Sequence, residues 1–188
     1  MRIPAHAIWG WEIFSNIRSM TDIKTIYTLG TSTRSMEDFF SALETYKITC
    51  IADVRRFPKS RRYPQFNRDH LEAQAKDRRL FYQWFGDLLG GYRKGGYEAY
   101  MREISFQKGL QQVEHLAKKL STVLICAERL PWTCHRFKIS HCLRERGWNV
   151  VHIIEKDRIW QPDDVGGTVC NVTPFFYGVG FVFVCFSA

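Results

Sequence analysis

The chain has 188 residues, about the length of one domain, and 45% of them are hydrophobic, so it can bury a core without disulfide or metal staples. Its formal net charge of +8 favours anionic partners without choosing among nucleic acid, nucleotide and membrane surface. One globular domain is therefore expected, and the position of the charge must identify the partner.

The cysteines and the N-terminus indicate a cytoplasmic protein. Cys50 and Cys126 lie inside apolar runs typical of strands, and no short disulfide-framework spacing is present, so reduced thiols are expected. Polar residues interrupt the apolar stretch near the N-terminus, which argues against a secretory signal. Residues 1–24 have no clear period, and we interpret them as an N-terminal extension that ends near an alternative start at Met20.

The residues that follow alternate between apolar runs and amphipathic segments. Strands are predicted at residues 25–29, 49–54, 80–84, 122–126 and 149–154. Helices are predicted from Ser35 onward and, with Asn67 as one N-cap, at about residues 67–78, 97–104, 108–119 and 133–146. Parallel strands need crossovers that cover both faces of the sheet, so residues 25–160 are predicted to form a three-layer Rossmann-like α/β domain with a mostly parallel five-stranded sheet.

An apolar tail is predicted at residues 161–188. No charged residue occurs from Val169 to Ala188. Its aromatic residues are Phe175, Phe176, Tyr177, Phe181, Phe183 and Phe186. A membrane anchor needs roughly 20 consecutive apolar residues, whereas proline, glycine and polar residues interrupt this segment. We expect a packed hairpin, with a membrane anchor and a non-native C-terminus as the alternatives.

Ligands of open parallel sheets bind beyond the carboxyl ends of the strands, and three polar clusters fall at such ends. The first predicted strand is followed by Gly30, Thr31, Ser32, Thr33 and Arg34. Backbone N–H groups and the dipole of the next helix favour an anion there, so this segment is predicted to bind phosphate. The alternative is that Thr33 or Ser35 is simply the N-cap of the helix.

Asp53 and a basic loop follow the second strand. Within 14 residues that contain no acid, the chain places Arg55, Arg56, Lys59, Arg61, Arg62 and Arg68. Aromatic residues interleave these charges, as expected for a surface that neutralises phosphate and stacks a base or sugar. The alternative is a solvated loop whose arginines pair with acids elsewhere. Asp53 itself is a candidate catalytic group, a ligand for a ribose hydroxyl, or an ion-pair partner that orders the loop.

Cys126 and Glu128 follow the fourth strand, and Cys134, His135 and Arg136 begin the next helix. A thiol at a helix N-terminus beside cations is predicted to have a lowered pKa, which makes Cys134, with His135, a candidate nucleophile or redox centre. Zinc at Cys126, Cys134 and His135 is a minor alternative, because seven residues separate the cysteines and structural sites usually contain closely spaced pairs.

Glu128 has two interpretations. A carboxylate that faces a nucleotide pocket can attack an anomeric carbon or assist the leaving group, as in enzymes that transfer glycosyl groups. The alternative is a salt bridge from Glu128 to Arg136 or Arg55. His152, late in the fifth strand, is interpreted as a hydrogen-bonded core histidine.

Several motifs in order and spacing resemble those of the domain of unknown function 488 family of small prokaryotic proteins. They are Thr28-Leu-Gly-Thr-Ser-Thr-Arg34, Asp53-Val-Arg55, Pro58-x-Ser60-x-x-x-Pro64-x-Phe66, Leu89-Gly-Gly91, Cys126-Ala-Glu128 and Cys134-His-Arg136. The resemblance covers about 130 residues, from Thr25 to Glu155. Each motif alone is weak, but together they are specific.

The resemblance implies a Rossmann-like fold, a cytosolic setting and a set of functional positions, without a reaction. Those positions are Gly30, Ser32, Arg34, Asp53, Arg55, Cys126, Glu128, Cys134, His135 and Arg136. Two residues depart from the family pattern: Thr31 stands where a histidine is usual, and Leu88 where an acid is usual. If that histidine is a catalytic base in relatives, this chain would be a weakened or binding-only member.

These observations leave three hypotheses for function. The first is an enzyme that acts on a nucleotide or nucleic-acid component, with arginines holding phosphate, Glu128 or Asp53 supplying the carboxylate, and glycosidic-bond cleavage or transfer as its most concrete form. The second is a nucleotide-binding or nucleic-acid-binding module without turnover. The third is a thiol-based enzyme that uses Cys134.

Overall fold

The computed structural model describes residues 24–162 and the backbone of residues 168–171. The interpreted N-terminal extension, the alternative start at Met20 and most of the apolar tail lie outside the described residues. Among the residues that are described, no helix is long and apolar enough to cross a membrane.

The strands of the described chain form one twisted sheet. They are β1 (Thr25–Gly30), β2 (Cys50–Asp53), β3 (Phe81–Trp84), β4 (Thr122–Cys126), β5 (Asn149–Glu155), β6 (Arg158–Gln161) and β7 (Thr168–Asn171). Their order across the sheet is β3-β2-β4-β1-β5-β6-β7. Strands β1 to β5 pair in parallel, and β6 and β7 add an antiparallel edge beside β5. The mostly parallel α/β sheet is confirmed, but the predicted number of five strands is too small.

Helices fill the connections between the parallel strands. They are α1 (Met36–Thr45), α2 (Arg68–Asp77), α3 (Gly86–Leu89), α4 (Tyr97–Tyr100), α5 (Ile104–Ala117) and α6 (His135–Glu145). Short 3-10 turns at Pro64–Phe66 and Pro131–Thr133 precede α2 and α6. The helix predicted at residues 97–104 is wrong in extent, because α4 is one turn long and α5 begins at Ile104.

The starts of α1 and α2 use different contacts. Ser35 caps α1, since its Oγ accepts the Asp38 N–H at 2.9 Å and donates to the Asp38 carboxylate at 2.7 Å. Asn67 occupies the N-cap position of α2, but its side chain makes no capping bond. Its Oδ1 instead accepts the Ser60 N–H at 2.6 Å, so Asn67 ties down the basic loop.

Two apolar layers cover the two faces of the sheet. Along the central strand β4, Val123 and Ile125 face the layer under α1 and α2, while Leu124 and Cys126 face the layer under α5 and α6. This alternation is the period of a strand that is buried on both sides. It places the thiol of Cys126 at the end of β4 on the side of α6.

One polar pair lies inside the sheet. His152 on β5 is fully buried, and its Nδ1 is 2.7 Å from the hydroxyl oxygen of Thr28 on β1. Burial lowers the pKa of His152 to about 3, because the charged ring would lose its hydration. These contacts agree with the interpretation of His152 as a hydrogen-bonded core histidine.

Candidate functional site

A cleft of about 620 Å³ lies beyond the carboxyl ends of β1, β2 and β4. The parallel register pairs Gly30 with Cys126 and Asp53 with Ile125, so the polar segments that follow these strands leave the sheet side by side. The cleft walls contain Thr31, Ser32, Thr33, Arg55, Arg56, Phe57, Lys59, Ser60, Tyr63, Phe66, Gly91, Tyr92, Tyr97, Cys126, Ala127, Glu128, Thr133, Cys134 and His135. Residues from all three predicted polar clusters therefore meet in one place.

The segment after β1 contributes side-chain hydroxyls to the cleft, while most of its backbone amides are engaged elsewhere. The Thr31 and Ser32 N–H groups donate to the carbonyls of Cys126 and Ala127, each at 2.8 Å, and the Arg34 N–H donates to Thr31 at 3.1 Å. A phosphate would have to displace these bonds to use the amides. The arrangement does not have the open amide cradle that the sequence suggested.

Gly30 allows the loop after β4 to cross over β1. A Cβ atom at Gly30 would stand 2.0 Å from the carbonyl oxygen of Glu128 and 2.8 Å from the Cα of Arg129. Any side chain would push this loop away. Gly30 therefore shapes one wall of the cleft by its small size.

Arg34, Arg55 and Arg136, which we call the scaffold arginines, are buried and bound to other parts of the protein. The guanidinium of Arg34 donates to the carbonyl oxygens of Gly30 and Ile154 and pairs with Glu155 at 2.9 Å. That of Arg136 donates to the carbonyl oxygens of Glu128 and Arg129, at 2.9 and 2.8 Å.

Arg55 completes this set through Asp53. Its Nε and Nη2 bind the two Asp53 oxygens at 2.9 and 2.6 Å, and its Nη1 donates to the Phe66 carbonyl at 2.8 Å. Asp53 is fully buried and also accepts the Arg55 N–H and the Tyr82 hydroxyl. Asp53 does not line the cleft, so of its three predicted roles its contacts match the ordering of the basic loop.

Of the other basic residues predicted in that loop, Arg68 instead begins α2, where it pairs with Glu72 at 4.0 Å. The remaining four, which we call the loop cations, are Arg56, Lys59, Arg61 and Arg62. Arg56 and Lys59 line the cleft, whereas Arg61 and Arg62 are exposed outside it. Arg56 pairs with Asp87 at 3.1 Å. The Lys59 ammonium has no hydrogen bond or ion pair within residues 24–162, so Lys59 is the lining cation most accessible to an anion.

Two aromatic rings at the cleft are largely exposed. Phe57 is 71% exposed and Tyr92 is 92% exposed, and their ring centroids are 6.4 Å apart. Leaving large aromatic surfaces in water loses the free energy that burial would supply, so such pairs often mark binding sites. In the sequence, Phe57 is one of the aromatic residues of the basic loop, and Tyr92 directly follows the Leu89-Gly-Gly91 motif.

The floor of the cleft holds a cysteine–histidine cluster, formed by Cys126, Cys134 and His135. The two sulfur atoms are 2.9 Å apart, and His135 Nδ1 is 3.8 Å from Cys126 Sγ and 3.6 Å from Cys134 Sγ. The other ring nitrogen, Nε2, is 3.0 Å from the carbonyl oxygen of Val54. Tyr97 packs its ring against His135, a contact that was not predicted, because Tyr97 was expected only as part of the helix at residues 97–104.

The pKa values of the two thiols are shifted in opposite directions. The pKa of Cys126 is held well below its ordinary value because the Cys134 thiol donates to it and because His135 and Arg136 lie near, in spite of burial. The pKa of Cys134 is raised, because its thiol donates that bond and is buried. The lowered pKa predicted for Cys134 therefore falls on Cys126, although Cys134 does cap α6 by accepting the Arg136 N–H at 3.5 Å.

The environment of the cluster favours negative charge. Burial lowers the pKa of His135, but its contact with Cys126 outweighs burial and the net shift is upward. Arg136 is fully buried beside the cysteines, and the groups that it binds are carbonyls rather than carboxylates. A thiolate in the cluster therefore compensates a buried cation.

Glu128 lies on the cleft wall with an exposed side chain. The salt bridge expected from Glu128 to Arg136 or Arg55 is absent from residues 24–162, because Arg136 binds the Glu128 backbone carbonyl and Arg55 binds Asp53. Glu128 thus lines the cleft without an ion pair to either arginine. Glu128 is the one acidic residue among those that line the cleft in the described chain.

Comparison with known protein families gives one match. The family model described as Domain of unknown function DUF488 matches residues 35–143, which include Asp53, the loop cations and the cysteine–histidine cluster. No curated protein matches the chain. Because the matched segment covers more than half of the 188 residues, the chain belongs to the DUF488 family.

Proposed function

We propose that the cleft binds a phosphate-bearing ligand with a planar ring, such as a nucleotide or a nucleic-acid component. The observation that carries this proposal is the exposed pair of rings, Phe57 and Tyr92, beside Lys59 and Arg56 on the same cleft wall. Each ring offers a face for stacking a base, and each cation can neutralise phosphate. The hydroxyls of Ser32 and Ser60 can donate hydrogen bonds to a sugar or accept them from it.

The size of the cleft favours a small ligand over a duplex. Its volume, about 620 Å³, is in the range of pockets that enclose small molecules. Two loop cations line the cleft: Lys59 is exposed and Arg56 is partly exposed. A long polyanion would extend over Arg61 and Arg62 as well, so the salt dependence of binding separates the two ligand types.

The direct test is calorimetric titration with a matched pair of ligands, a nucleoside 5′-monophosphate and its nucleoside. We expect the nucleotide to bind at least about tenfold more tightly, because a charge-assisted contact to Lys59 contributes about 1.5–3 kcal/mol. Lys59→Met should remove most of that preference, and Lys119→Met, at an exposed lysine beyond α5, should leave it unchanged.

The aromatic part of the proposal has its own test. Phe57→Ala and Tyr92→Ala should each weaken nucleotide and nucleoside alike, by about 1–3 kcal/mol, because stacking does not depend on the phosphate. Phe81→Ala, at an exposed ring on β3 outside the cleft, is the control. Equal affinity of the wild type for both ligands, or the same losses in the control, would refute the proposed ligand class.

A second proposal concerns chemistry on that ligand, and it rests on the exposed carboxylate of Glu128 at the cleft. In this proposal the Glu128 carboxylate either attacks the anomeric carbon or assists the departure of the leaving group. The glycosidic bond is thereby cleaved, or the glycosyl group is transferred. Glycosidases use two carboxylates, but Asp53 is buried and fully bound, and Glu128 is the one acid that lines the cleft in the described chain. The second catalytic group would therefore have to be a lining residue other than an acid. Glu128→Gln should abolish release of base from bound nucleotides while binding persists; release that continues at the wild-type rate would exclude this mechanism.

A further inference from the structure

We propose that the cysteine–histidine cluster binds a zinc ion through Cys126 Sγ, Cys134 Sγ and His135 Nδ1, with a fourth coordination position open to the cleft. Among the divalent metals common in proteins, a site with two thiolates and an imidazole favours zinc. The proposal goes beyond the ligand class proposed above and does not depend on it.

The orientation of His135 is the first argument. A carbonyl oxygen can only accept a hydrogen bond, so the 3.0 Å contact with Val54 means that Nε2 carries a hydrogen. Nδ1 is then the nitrogen available for a metal, and it faces both sulfur atoms. Histidines that bind metals commonly donate their other N–H to a backbone carbonyl or carboxylate, which holds the ring in place.

The distances supply the second argument. With Zn–S near 2.3 Å and Zn–N near 2.0 Å, tetrahedral angles place sulfur and nitrogen about 3.5 Å apart and the two sulfurs about 3.8 Å apart. The observed nitrogen–sulfur distances are 3.6 and 3.8 Å, and the sulfur–sulfur distance is 2.9 Å. The cluster thus needs one adjustment, a separation of the sulfurs by roughly 0.9 Å, which small side-chain rotations can provide.

Access to the cluster is the third argument. All three of its residues line the cleft, so an ion held by them would contact the cleft interior. Gly91 lies directly beside the ring, since a Cβ there would be 3.2 Å from His135 Nδ1. Three protein ligands with an open position is the pattern of catalytic zinc sites, in which water or substrate occupies the fourth position.

The positive charge around the cluster favours ligands that neutralise the charge of the metal ion. Arg136 brings a buried positive charge next to the cluster, and the N-terminus of α6 adds a partial positive charge at Cys134. Two thiolates with a divalent ion have no net charge, so the site would not place a second cation against Arg136. Binding would release the thiol protons of both cysteines and any proton at His135 Nδ1.

The test is titration of the full-length, chelator-treated and fully reduced protein with cobalt, followed by displacement with zinc. Replacing Cys170 and Cys185 by serine removes two further thiols that lie outside the side chains described. We expect saturation at one equivalent of cobalt, an absorption pattern of tetrahedral coordination and a sulfur-to-cobalt charge-transfer band. Zinc should abolish both features.

Variants then assign the ligands. Cys134→Ser and His135→Ala should each weaken zinc binding by at least about tenfold, given that even residues contacting a ligand indirectly change affinity by 10- to 100-fold. Cys142→Ser is the matched control, because Cys142 is a half-buried thiol on α6 outside the cluster. The cobalt spectrum is measured on a chain with an intact cluster, so it remains decisive even if a variant does not fold.

Three outcomes would overturn the zinc site. They are no charge-transfer band at stoichiometric cobalt, unchanged binding in Cys134→Ser, and a Cys126–Cys134 disulfide in a protein whose reduced form takes up no metal. The last outcome would make the cluster a redox pair. None of these results depends on nucleotide binding, so failure of the zinc site and failure of the proposed ligand class are distinguishable.

Discussion

The scaffold arginines and the loop cations belong to the same polar edge of the sheet, yet their surroundings differ. Arg34, Arg55 and Arg136 are buried, and their guanidinium groups bind carbonyl and carboxylate oxygens of the protein. Lys59, Arg61 and Arg62 are exposed. Positive charge near the cleft therefore has two separate uses: the buried arginines hold the loops together, and the exposed cations remain available to a ligand.

The largest expected effect is the loss of a scaffold arginine. Arg55→Met leaves Asp53 as a buried carboxylate without its ion-pair partner, which should lower the free energy of unfolding by about 3–5 kcal/mol. Arg61→Met, at an exposed loop cation, should change it by less than about 0.5 kcal/mol. Urea denaturation measures both. Similar losses in the two variants would erase the distinction between the scaffold arginines and the loop cations.

Gly30 and Gly91 should differ in how much a methyl group at each costs the fold. Gly30→Ala should cost about 2 kcal/mol of stability, because its Cβ would overlap the carbonyl oxygen of Glu128 and displace the loop that Arg136 holds. Gly91→Ala should cost much less, since the nearest atom, His135 Nδ1, is 3.2 Å away. Thermal unfolding of the two variants checks the order, and a larger loss at Gly91 would contradict it.

The buried ring of His152 should make the stability of the protein depend on pH. Its pKa is about 3 in the folded protein and near 6.5 when unfolded, so the unfolded chain binds the extra proton first as pH falls. The stability due to neutral His152 is complete above about pH 6.5 and is lost progressively toward pH 3.

Between pH 7 and pH 5, this one group should remove roughly 2 kcal/mol from the free energy of unfolding. His152→Gln should flatten that part of the stability profile, whereas His141→Gln, at an exposed histidine on α6, should leave its slope intact. Denaturant unfolding at several pH values gives the slopes, and an unaltered slope in His152→Gln would show that another group titrates.

The smallest expected effect concerns Arg61 and Arg62. If the ligand is a small nucleotide held in the cleft, replacing both by methionine should change its affinity less than about twofold, because neither residue lines the cleft. For a single-stranded oligonucleotide, the same change should reduce the salt slope by about 1.4, or 0.7 for each lost phosphate contact. The same titrations over a range of salt concentrations distinguish a nucleotide pocket from a nucleic-acid surface.

The strands and helices were largely predictable because buried parallel strands leave continuous apolar runs. β4 was predicted with its observed limits, Thr122–Cys126, and the Ser35 cap of α1 follows the usual serine preference. β6 was missed, because four residues after a two-residue turn carry too little period to be distinguished from the start of a tail. The helix at residues 97–104 was wrong because one apolar pattern runs across the break between α4 and α5.

The site was predictable in position and less so in roles. The sequence predicts Arg34 and Arg136 as phosphate-binding residues, but both instead bind backbone carbonyls, of Ile154 and of residues 128–129, that only folding brings near. The spacing of Cys126 and Cys134 argued against a metal, yet the turn at Pro131–Thr133 brings their sulfurs into contact. The contact of His135 with Val54, 81 residues earlier, has no signal in the sequence.

The most direct measurement is a crystal structure of the protein with a bound nucleoside 5′-monophosphate. We expect the phosphate within hydrogen-bonding distance of Lys59 Nζ and the base against Phe57 or Tyr92, while Arg34, Arg55 and Arg136 keep their present partners. A phosphate held by a scaffold arginine that has released its carbonyl or carboxylate would contradict the division between the two sets of charges.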